Sequence, residues 1–268
     1  LLKLHVFIDI THQHHPSAPS ELNFFPSSTF PVPSLDGRIV GGDAIPISEA
    51  PWSASLLLTG SNLFHTCGGS IISPTVILTA AHCLAGKRPT DLKIRVGSAL
   101  NNDGGQLINP SQIIVHEAYN AIILTNDIGL IILEEEITIE TASPITLPAQ
   151  DETVEDGALA INSGWGRLFE SGTSPVELQA VEINIVNQVI CRQRNAVINN
   201  VTPTMICAGV DEGGKGSCNG DSGGPLMVDG TQVGLTSWSN GCVRPNFPTV
   251  YTRVASFIDW IEQTLAEI

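Results

Sequence analysis

The stretch Gly220-Asp221-Ser222-Gly223-Gly224-Pro225 decides how this chain is interpreted. Glycines beside Ser222 allow a tight, exposed turn in which backbone N–H groups point at an oxygen bonded next to the serine hydroxyl. Such donors stabilise the oxyanion of a tetrahedral acyl intermediate. Because a serine hydroxyl alone is a weak nucleophile, this interpretation requires a base and a group that orients the base.

Two upstream motifs supply those groups. Thr79-Ala80-Ala81-His82-Cys83 contains a histidine, and Asn126-Asp127-Ile128-Gly129-Leu130 contains an aspartate at the start of an apolar run. The order His82, Asp127, Ser222 has spacings of 127 − 82 = 45 and 222 − 127 = 95 residues. The chain therefore resembles the secreted serine proteases of the chymotrypsin/trypsin family. The resemblance implies that the serine is the nucleophile, the histidine its base and the aspartate the orienting group.

The pattern of the chain after Arg38 is typical of an all-β protein, because short β-branched runs alternate with Gly, Pro, Asn and Asp. Strands are predicted at 70–72, 76–79, 92–96, 113–115, 128–133, 181–186 and 232–238. Only the end of the chain is expected to be helical, with Ser256 as its N-cap. Its apolar residues share one helical face: Val254, Phe257, Ile258, Ile261, Leu265 and Ile268.

The family resemblance covers residues 39–268 and implies a fold of two six-stranded antiparallel β-barrels followed by a C-terminal α-helix. It places His82 and Asp127 in the first barrel and Ser222 in the second. It also implies an oxyanion hole formed by the backbone N–H groups of Gly220 and Ser222.

Composition disfavours two classes of partner. With 27 Asp and Glu against 12 Lys and Arg, the formal net charge is −15, which argues against nucleic acids and anionic membranes. No stretch approaches the roughly 18 continuous apolar residues of a transmembrane helix. We expect a secreted, extracellular monomer whose partners are protein or peptide substrates and protein protease inhibitors.

Six cysteines in 268 residues indicate three disulfides formed in an oxidising compartment. The sequence alone leaves every pairing open, whereas the resemblance implies Cys67–Cys83, Cys191–Cys207 and Cys218–Cys242. A zinc site is disfavoured because no paired Cys-x-x-Cys spacing is present. The loop 98–106 lacks the paired Glu residues that hold calcium in many trypsins. No metal or cofactor is therefore expected.

Residues 1–38 differ in composition from the rest and are expected to form an extended pro-segment, since they are rich in proline and serine and show no sustained periodicity. The apolar residues 1–10 are either the remnant of a signal peptide or the start of the pro-segment. His12, His14 and His15 are interpreted as part of a flexible polar tract rather than a metal site, because no acidic or cysteine ligand accompanies them.

Arg38-Ile39-Val40-Gly41-Gly42 resembles the activation site of the family. Cleavage after Arg38 would free the Ile39 ammonium, which the resemblance pairs with Asp221. Because burying an unpaired carboxylate is costly, we expect Asp221 to turn inward, and the Gly220 turn to form, only after cleavage. The uncut protein is thus predicted to be a zymogen that a trypsin-like protease activates.

Three positions indicate which residue the pocket prefers before the cut. The position six before the nucleophile, where trypsin-like relatives carry Asp, is Gly216, so no charge is available there to bind Lys or Arg. Ser239 and Thr249 replace wall glycines of the relatives and narrow the pocket. We expect a neutral pocket suited to Leu, Met, Ala, Val or Phe. Ser237, Trp238 and Ser239 are expected to bind the substrate backbone, with Ser237 also donating to the triad aspartate.

Two other functions stay open at this point. Ser239 and Thr249 would leave a catalytically silent binding or regulatory protein if they blocked the pocket, although no triad residue is lost. A trypsin-like protease would need an acid elsewhere in the pocket, and neither residue supplies one.

Two residues outside these motifs carry weaker signals. Asn200, in Asn200-Val201-Thr202, fits the pattern of an N-glycosylation acceptor, a pattern with many false positives. His65 is interpreted as a surface or packing residue rather than a catalytic one.

Overall fold

The computed structural model describes residues 39–268, in which antiparallel strands form two sheets. The elements in chain order are β1 (Asp43–Ala44), β2 (Ser53–Leu58), β3 (Phe64–Ser73), β4 (Val76–Thr79), α1 (Ala81–Leu84), β5 (Leu92–Val96), β6 (Gln106–Ile108), β7 (Pro110–Val115), β8 (Gly129–Leu133), β9 (Leu159–Gly164), β10 (Gln179–Val186), α2 (Gln188–Asn195), β11 (Met205–Gly209), β12 (Pro225–Val228), β13 (Thr231–Trp238), β14 (Thr249–Arg253) and α3 (Ile258–Ala266). Within these residues, no helix has the length and apolar character needed to cross a lipid bilayer.

The first sheet is a curled half-barrel with the strand order β6-β5-β2-β3-β4-β8-β7. Its two edge strands, β6 and β7, are consecutive in the chain and separated only by Asn109. The sheet therefore curls until its ends meet at this residue. Fully buried aliphatic side chains fill the inside of the curl: Leu56, Ile77, Ile94, Ile108 and Ile131.

The second sheet is a closed six-stranded barrel, because β9 pairs with both β10 and β12 and completes the ring β9-β10-β11-β14-β13-β12. The short strand β1 adds to the outside of β10. The core of this closed barrel includes Ile183, Leu226 and Tyr251. The predicted all-β, chymotrypsin-like fold is confirmed, with one closed barrel and one curled half-barrel in the places of the two expected barrels.

All three disulfides implied by the family resemblance are confirmed: Cys67–Cys83, Cys191–Cys207 and Cys218–Cys242. The first ties β3 to α1, and the second ties α2 to β11. The third joins the segment before the Ser222 turn to the loop between β13 and β14. Two of the three thus brace loops that carry candidate site residues.

The helical predictions were partly wrong. The chain also forms α2, whose apolar residues Val189 and Ile190 are largely exposed, so no apolar periodicity marks it. Asn187 caps this helix by accepting hydrogen bonds from the backbone N–H groups of the same two residues. The C-terminal helix α3 is confirmed, but it begins at Ile258, and Ser256 ends a preceding 3₁₀ turn without capping it.

The half-barrel and the barrel are held together by hydrogen bonds across their contact. The buried Ser70 hydroxyl on β3 donates to Gln232 Oε1 on β13 at 2.7 Å. The Gly68 N–H donates to the carbonyl of Ser222 at 2.8 Å. These bonds bring the Ser222 turn against the sheet that carries α1.

Ser70→Ala is expected to lower the free energy of unfolding by about 1–3 kcal/mol, because it leaves the buried Gln232 Oε1 without a donor. Urea unfolding of the uncut Ser222→Ala protein, which cannot digest itself, measures the change. The control is Ser111→Ala, since the Ser111 hydroxyl bonds to a strand carbonyl at an exposed site and its loss should cost under about 0.5 kcal/mol. Equal losses in the two variants would contradict a role for Ser70 in joining the sheets.

Candidate active site

His82 and Asp127 lie in direct contact. His82 is in α1, and Asp127, which is fully buried, immediately precedes the run that becomes β8. The His82 ring Nδ1 lies 2.7 Å from Asp127 Oδ2, and the backbone N–H of His82 donates to Oδ1 at 2.8 Å. Because an ionised carboxylate only accepts hydrogen bonds, this arrangement places the ring proton on Nδ1 and leaves Nε2 free to act as a base.

The barrel supplies two further bonds to the aspartate. Ser237 Oγ on β13 donates to Asp127 Oδ2 at 2.6 Å, as the sequence led us to expect. Thr252 Oγ1 on β14 donates to the backbone carbonyl of Asp127 at 2.8 Å. The residue that orients His82 is therefore held from both sheets.

Ser222 is brought toward His82 by the close packing of Gly223. Gly223 has φ +78° and lies so near the segment before His82 that a Cβ would overlap Thr79 Oγ1 and stand 2.9 Å from the Ala80 nitrogen. Any side chain at this position would push the turn away. The segments that carry the candidate nucleophile and the candidate base are therefore in contact.

The Gly220 turn is held by a buried histidine. Gly220 has φ +102°, a conformation that favours glycine, and its carbonyl lies 3.0 Å from His65 Nε2. The other ring nitrogen, Nδ1, lies 2.7 Å from Ser55 Oγ. Burial lowers the pKa of His65 to about 4, so at neutral pH the ring is neutral and Nε2 donates to the carbonyl. His65 is therefore a support of this turn, and no local pattern could reveal a contact across 155 residues.

Asp221 differs from the sequence expectation, because it already points inward in this chain, in which residues 38 and 39 are joined. The backbone N–H groups of Gly166 and Cys218 donate to its two carboxylate oxygens at 2.7 and 2.9 Å. A Cβ on Gly164 or Gly166 would overlap that carboxylate. These donors offset part of the desolvation, yet burial still raises the pKa of Asp221 to about 7. Arg38 lies outside the described residues.

A cavity of about 260 Å³ opens beside Ser222. Ser237, Trp238, Ser239 and Thr249 all line it. The Ser239 hydroxyl donates to the Gly241 carbonyl, which turns this side chain along the wall.

Gly216 is not among the residues that line this cavity, although its chain neighbour Ser217 is. A Cβ on Gly216 would stand 2.9 Å from Val243 Cγ1 and 3.9 Å from Thr249 Oγ1. Val243, which the sequence analysis did not identify, thus occupies the space that a longer residue at position 216 would need.

One ionisable side chain, Glu170, lines the cavity within the described part of the chain, and the sequence analysis missed it. Glu170 lies in the loop between β9 and β10 and pairs with Arg244. Neither residue belongs to a recognisable motif, so only the folded chain reveals that both lie near Ser222.

Among the described residues, one group, formed by Cys67, His82 and Cys83, has the spacing of possible metal ligands. The two sulfurs are joined in a disulfide and cannot bind a metal as thiolates. The group therefore does not form a metal site.

A family model described as Trypsin matches residues 39–261. The chain is 41% identical over 228 residues to Trypsin 5G1 of Aedes aegypti, a match that covers 85% of each protein. It is 43% identical over 233 residues to Trypsin delta of Drosophila melanogaster, covering 86% of this chain and 89% of that one. It is also 36% identical over 237 residues to the Vitellin-degrading protease of Bombyx mori, covering 88% and 89%.

Asp221→Asn is expected to stabilise the uncut protein increasingly as the pH rises. A carboxyl whose pKa is raised from 3.8 to about 7 keeps its proton in the folded state after the unfolded chain has lost it, so its contribution to stability falls between these values. Relative to the parent, the variant should therefore gain about 2 kcal/mol in unfolding free energy between pH 5 and pH 7. Urea unfolding at the two pH values, in the Arg38→Gln, Ser222→Ala background, measures this difference.

Asp91→Asn is the control for that measurement. Asp91 is partly exposed beside Arg88, whose guanidinium lowers the pKa of this carboxyl below 3.8, so it titrates outside the window. His65 opposes Asp221, because its lowered pKa makes stability fall as the pH drops from 6.5 toward 4, but it is present in both proteins and cancels in the difference. An Asp221→Asn effect that does not change with pH would contradict the raised pKa.

Proposed function

Since this chain belongs to the trypsin family of serine endopeptidases, we propose that it hydrolyses peptide bonds with Ser222 as the nucleophile, His82 as the base and Asp127 as the group that orients His82. The bonds from Asp127 to the ring and the backbone of His82, both 2.8 Å or shorter, carry this proposal. They leave Nε2 as the basic atom and fix the direction in which it points.

In the proposed reaction, His82 Nε2 takes the Ser222 proton as Oγ attacks the scissile carbonyl. The backbone N–H groups of Gly220 and Ser222 stabilise the oxyanion, and removing one such donor costs on the order of 3 kcal/mol. The imidazolium then protonates the leaving amine, and Asp127 stabilises the transient positive charge. Water, activated by the same ring, attacks the acyl-enzyme and restores Ser222.

A preference for neutral apolar residues before the cut is supported by the lining of the cavity. Among the described residues, the one ionisable side chain that lines it, Glu170, is paired with Arg244, and position 216, where trypsin-like relatives carry Asp, is a glycine. A cation entering there would lose its hydration without a partner, whereas an apolar side chain would gain from burial. Ser237, Trp238 and Ser239 on and after β13 are proposed to bind the substrate backbone alongside.

A trypsin-like preference for Lys or Arg is the second candidate, and two observations favour it. Several relatives at 41–43% identity are named trypsins. Glu170 also places an acid at the cavity wall, although Arg244 is bonded to it. The third hypothesis, a catalytically inactive binding protein, required Ser239 and Thr249 to block the pocket. It is disfavoured because a cavity of about 260 Å³ remains open beside Ser222 with both residues in its wall.

We further propose that residues 1–38 are a pro-segment removed by a trypsin-like protease, and that the protein is secreted as a zymogen. The family match begins at residue 39, directly after Arg38, and three disulfides suit an oxidising compartment. The freed Ile39 ammonium would give Asp221 the cationic partner that its two amide donors do not provide.

The cut protein is expected to hydrolyse tetrapeptide substrates with Leu, Met, Ala or Phe before the scissile bond. Initial rates are measured after cleavage by trypsin and removal of the trypsin, with Ile39 verified as the new N-terminus. Ser222→Ala should reduce kcat on the order of a millionfold, because the nucleophile is lost. The control Ser111→Ala removes an exposed hydroxyl on β7 that does not line the cavity beside Ser222, and it should leave kcat unchanged.

If substrates with Lys or Arg before the cut are hydrolysed faster than those with Leu, Met, Ala or Phe, the preference for apolar residues is wrong and the trypsin-like preference replaces it. If no substrate of the panel is hydrolysed although Ile39 is the N-terminus, the protein is better explained as a catalytically inactive binding or regulatory protein. Turnover that survives in Ser222→Ala would exclude Ser222 as the nucleophile.

Arg38→Gln, which blocks the proposed activation cut, is expected to lower kcat/KM on the preferred substrate by at least about a hundredfold, the loss expected when one oxyanion-hole donor is misplaced, because Asp221 beside that turn would lack the proposed Ile39 partner. The measurement compares trypsin-treated Arg38→Gln with trypsin-treated Arg38→Lys, which trypsin still cuts. Full activity in intact Arg38→Gln protein would mean that the amide donors to Asp221 suffice, and that cleavage does not control activity.

A further inference from the structure

We propose that Arg244 sets the specificity of this site by neutralising Glu170, the acid at the cavity wall, so that Glu170 acts on substrate cations only when Arg244 is absent. The inference rests on the proposed function, because it concerns the residue that precedes the cut. It makes Arg244 and Glu170 a pair of specificity-determining residues that belong to two different loops.

The pair joins the loop between β9 and β10 to the loop between β13 and β14. Arg244 Nη2 lies 2.7 Å from Glu170 Oε1, and Arg244 Nε lies 3.4 Å from Oε2. Two parallel N–H···O bonds of this kind fix the plane of the carboxylate as well as its position. The carboxylate is thus held in one place at the cavity.

Gly241 allows the pair to lie against the cavity wall. This residue lines the cavity and has φ +66°. A Cβ on Gly241 would stand 2.7 Å from Glu170 Oε1 and 2.6 Å from Arg244 Nε. Because Gly241 has no side chain, the Glu170 carboxylate and the Arg244 guanidinium can both pack against its backbone. That backbone lines the cavity into which a substrate side chain would enter.

The charges of the pair cancel at the wall. Within the described part of the chain, no other ionisable side chain lines this cavity. With Arg244 in place, a substrate ammonium meets a compact dipole instead of a net negative charge. Without Arg244, the same ammonium meets an unpaired carboxylate near a partly dehydrated surface, where an attraction across a few ångströms is stronger than in bulk water.

The pair itself is weak enough to be tested by substitution. The Arg244 and Glu170 side chains are 51% and 47% exposed. Pairs at such exposure contribute little to folding, so their removal should leave the structure of the enzyme intact. The effect on selectivity is consequently separable from an effect on stability.

The test compares the activated parent with Arg244→Gln, Glu170→Gln and the double variant. The substrates are tetrapeptides that differ only in Lys or norleucine before the cut, because norleucine has the lysine stem without the ammonium. Arg244→Gln is expected to raise the Lys-to-norleucine ratio of kcat/KM about tenfold, the gain of one unpaired charge near the ammonium. The double variant should return to the parent ratio, since the acid is then also gone. The gain in Arg244→Gln should shrink in 0.5 M salt, about the range where screening reaches a few ångströms.

Arg88→Gln is the matched control, because it removes one exposed guanidinium that pairs with Asp91 outside the cavity. Arg88→Gln changes the net charge of the protein by the same amount as Arg244→Gln, and it should leave the Lys-to-norleucine ratio of kcat/KM unchanged. Glu170→Gln provides an independent arm if Arg244→Gln does not fold. It leaves Arg244 unpaired, and it should raise the ratio of a glutamate over a glutamine substrate about tenfold.

An unchanged Lys-to-norleucine ratio in Arg244→Gln, with norleucine turnover retained, would overturn the inference and leave the proposed protease function standing. A ratio that rises equally in Arg244→Gln and in the double variant would also overturn it, because the gain would not depend on Glu170. Failure of the parent to cleave any substrate would remove the proposed function and this inference together.

Discussion

Burial of the Asp127 carboxylate is the constraint on which the rest of the site depends. A carboxylate taken out of water is costly unless its oxygens accept hydrogen bonds. Its donors are the backbone and ring of His82 and the Ser237 hydroxyl, all within 2.8 Å. Since His82 lies between β4 and β5 of the half-barrel and Ser237 lies on the barrel, the hydrogen bonds that satisfy this one buried carboxylate both orient the His82 ring and join the two sheets.

The second buried carboxylate, Asp221, is treated differently by the fold. Its described partners are two backbone amides, and the chain makes room for it with glycines at 164 and 166. Amide dipoles are weaker partners than a cation, which is why burial keeps the pKa of this carboxyl near 7. The contrast separates a charge that the fold satisfies fully from one that still lacks a counter-ion.

Features with a local chemical cause could be predicted from the sequence. The strands at 76–79 and 92–96 follow from short apolar runs, and they appear as β4 and β5. The three disulfides and the chymotrypsin-like fold followed from the family resemblance and are confirmed. The polar helix α2 was not predicted, because a capping asparagine and a disulfide, rather than an apolar stripe, define it. The inward position of Asp221 in the uncut chain was not predicted either, since the backbone amides that donate to its carboxylate are brought to it only by the fold.

The candidate site was predicted less completely than the fold, for the same reason. His65, Val243 and the Glu170–Arg244 pair act through contacts between segments that are distant in the chain. Such contacts leave no periodicity and no motif, because each partner is chosen by the closure of the sheets. A sequence reader finds the residues that perform chemistry more easily than the residues that shape the space around them.

The bonds that cross between the two sheets have one more consequence. The Ser222 carbonyl is held by Gly68, and the Asp127 carbonyl is held by Thr252, so both residues are anchored across the contact rather than within one sheet. Because these bonds are separate from the strand pairings, a loosened contact would displace Ser222 and Asp127 while each sheet keeps its own ladder of hydrogen bonds. Hydrolysis would then stop before any strand melts, and the working lifetime of the enzyme would be set by the contact between its halves rather than by the stability of either half.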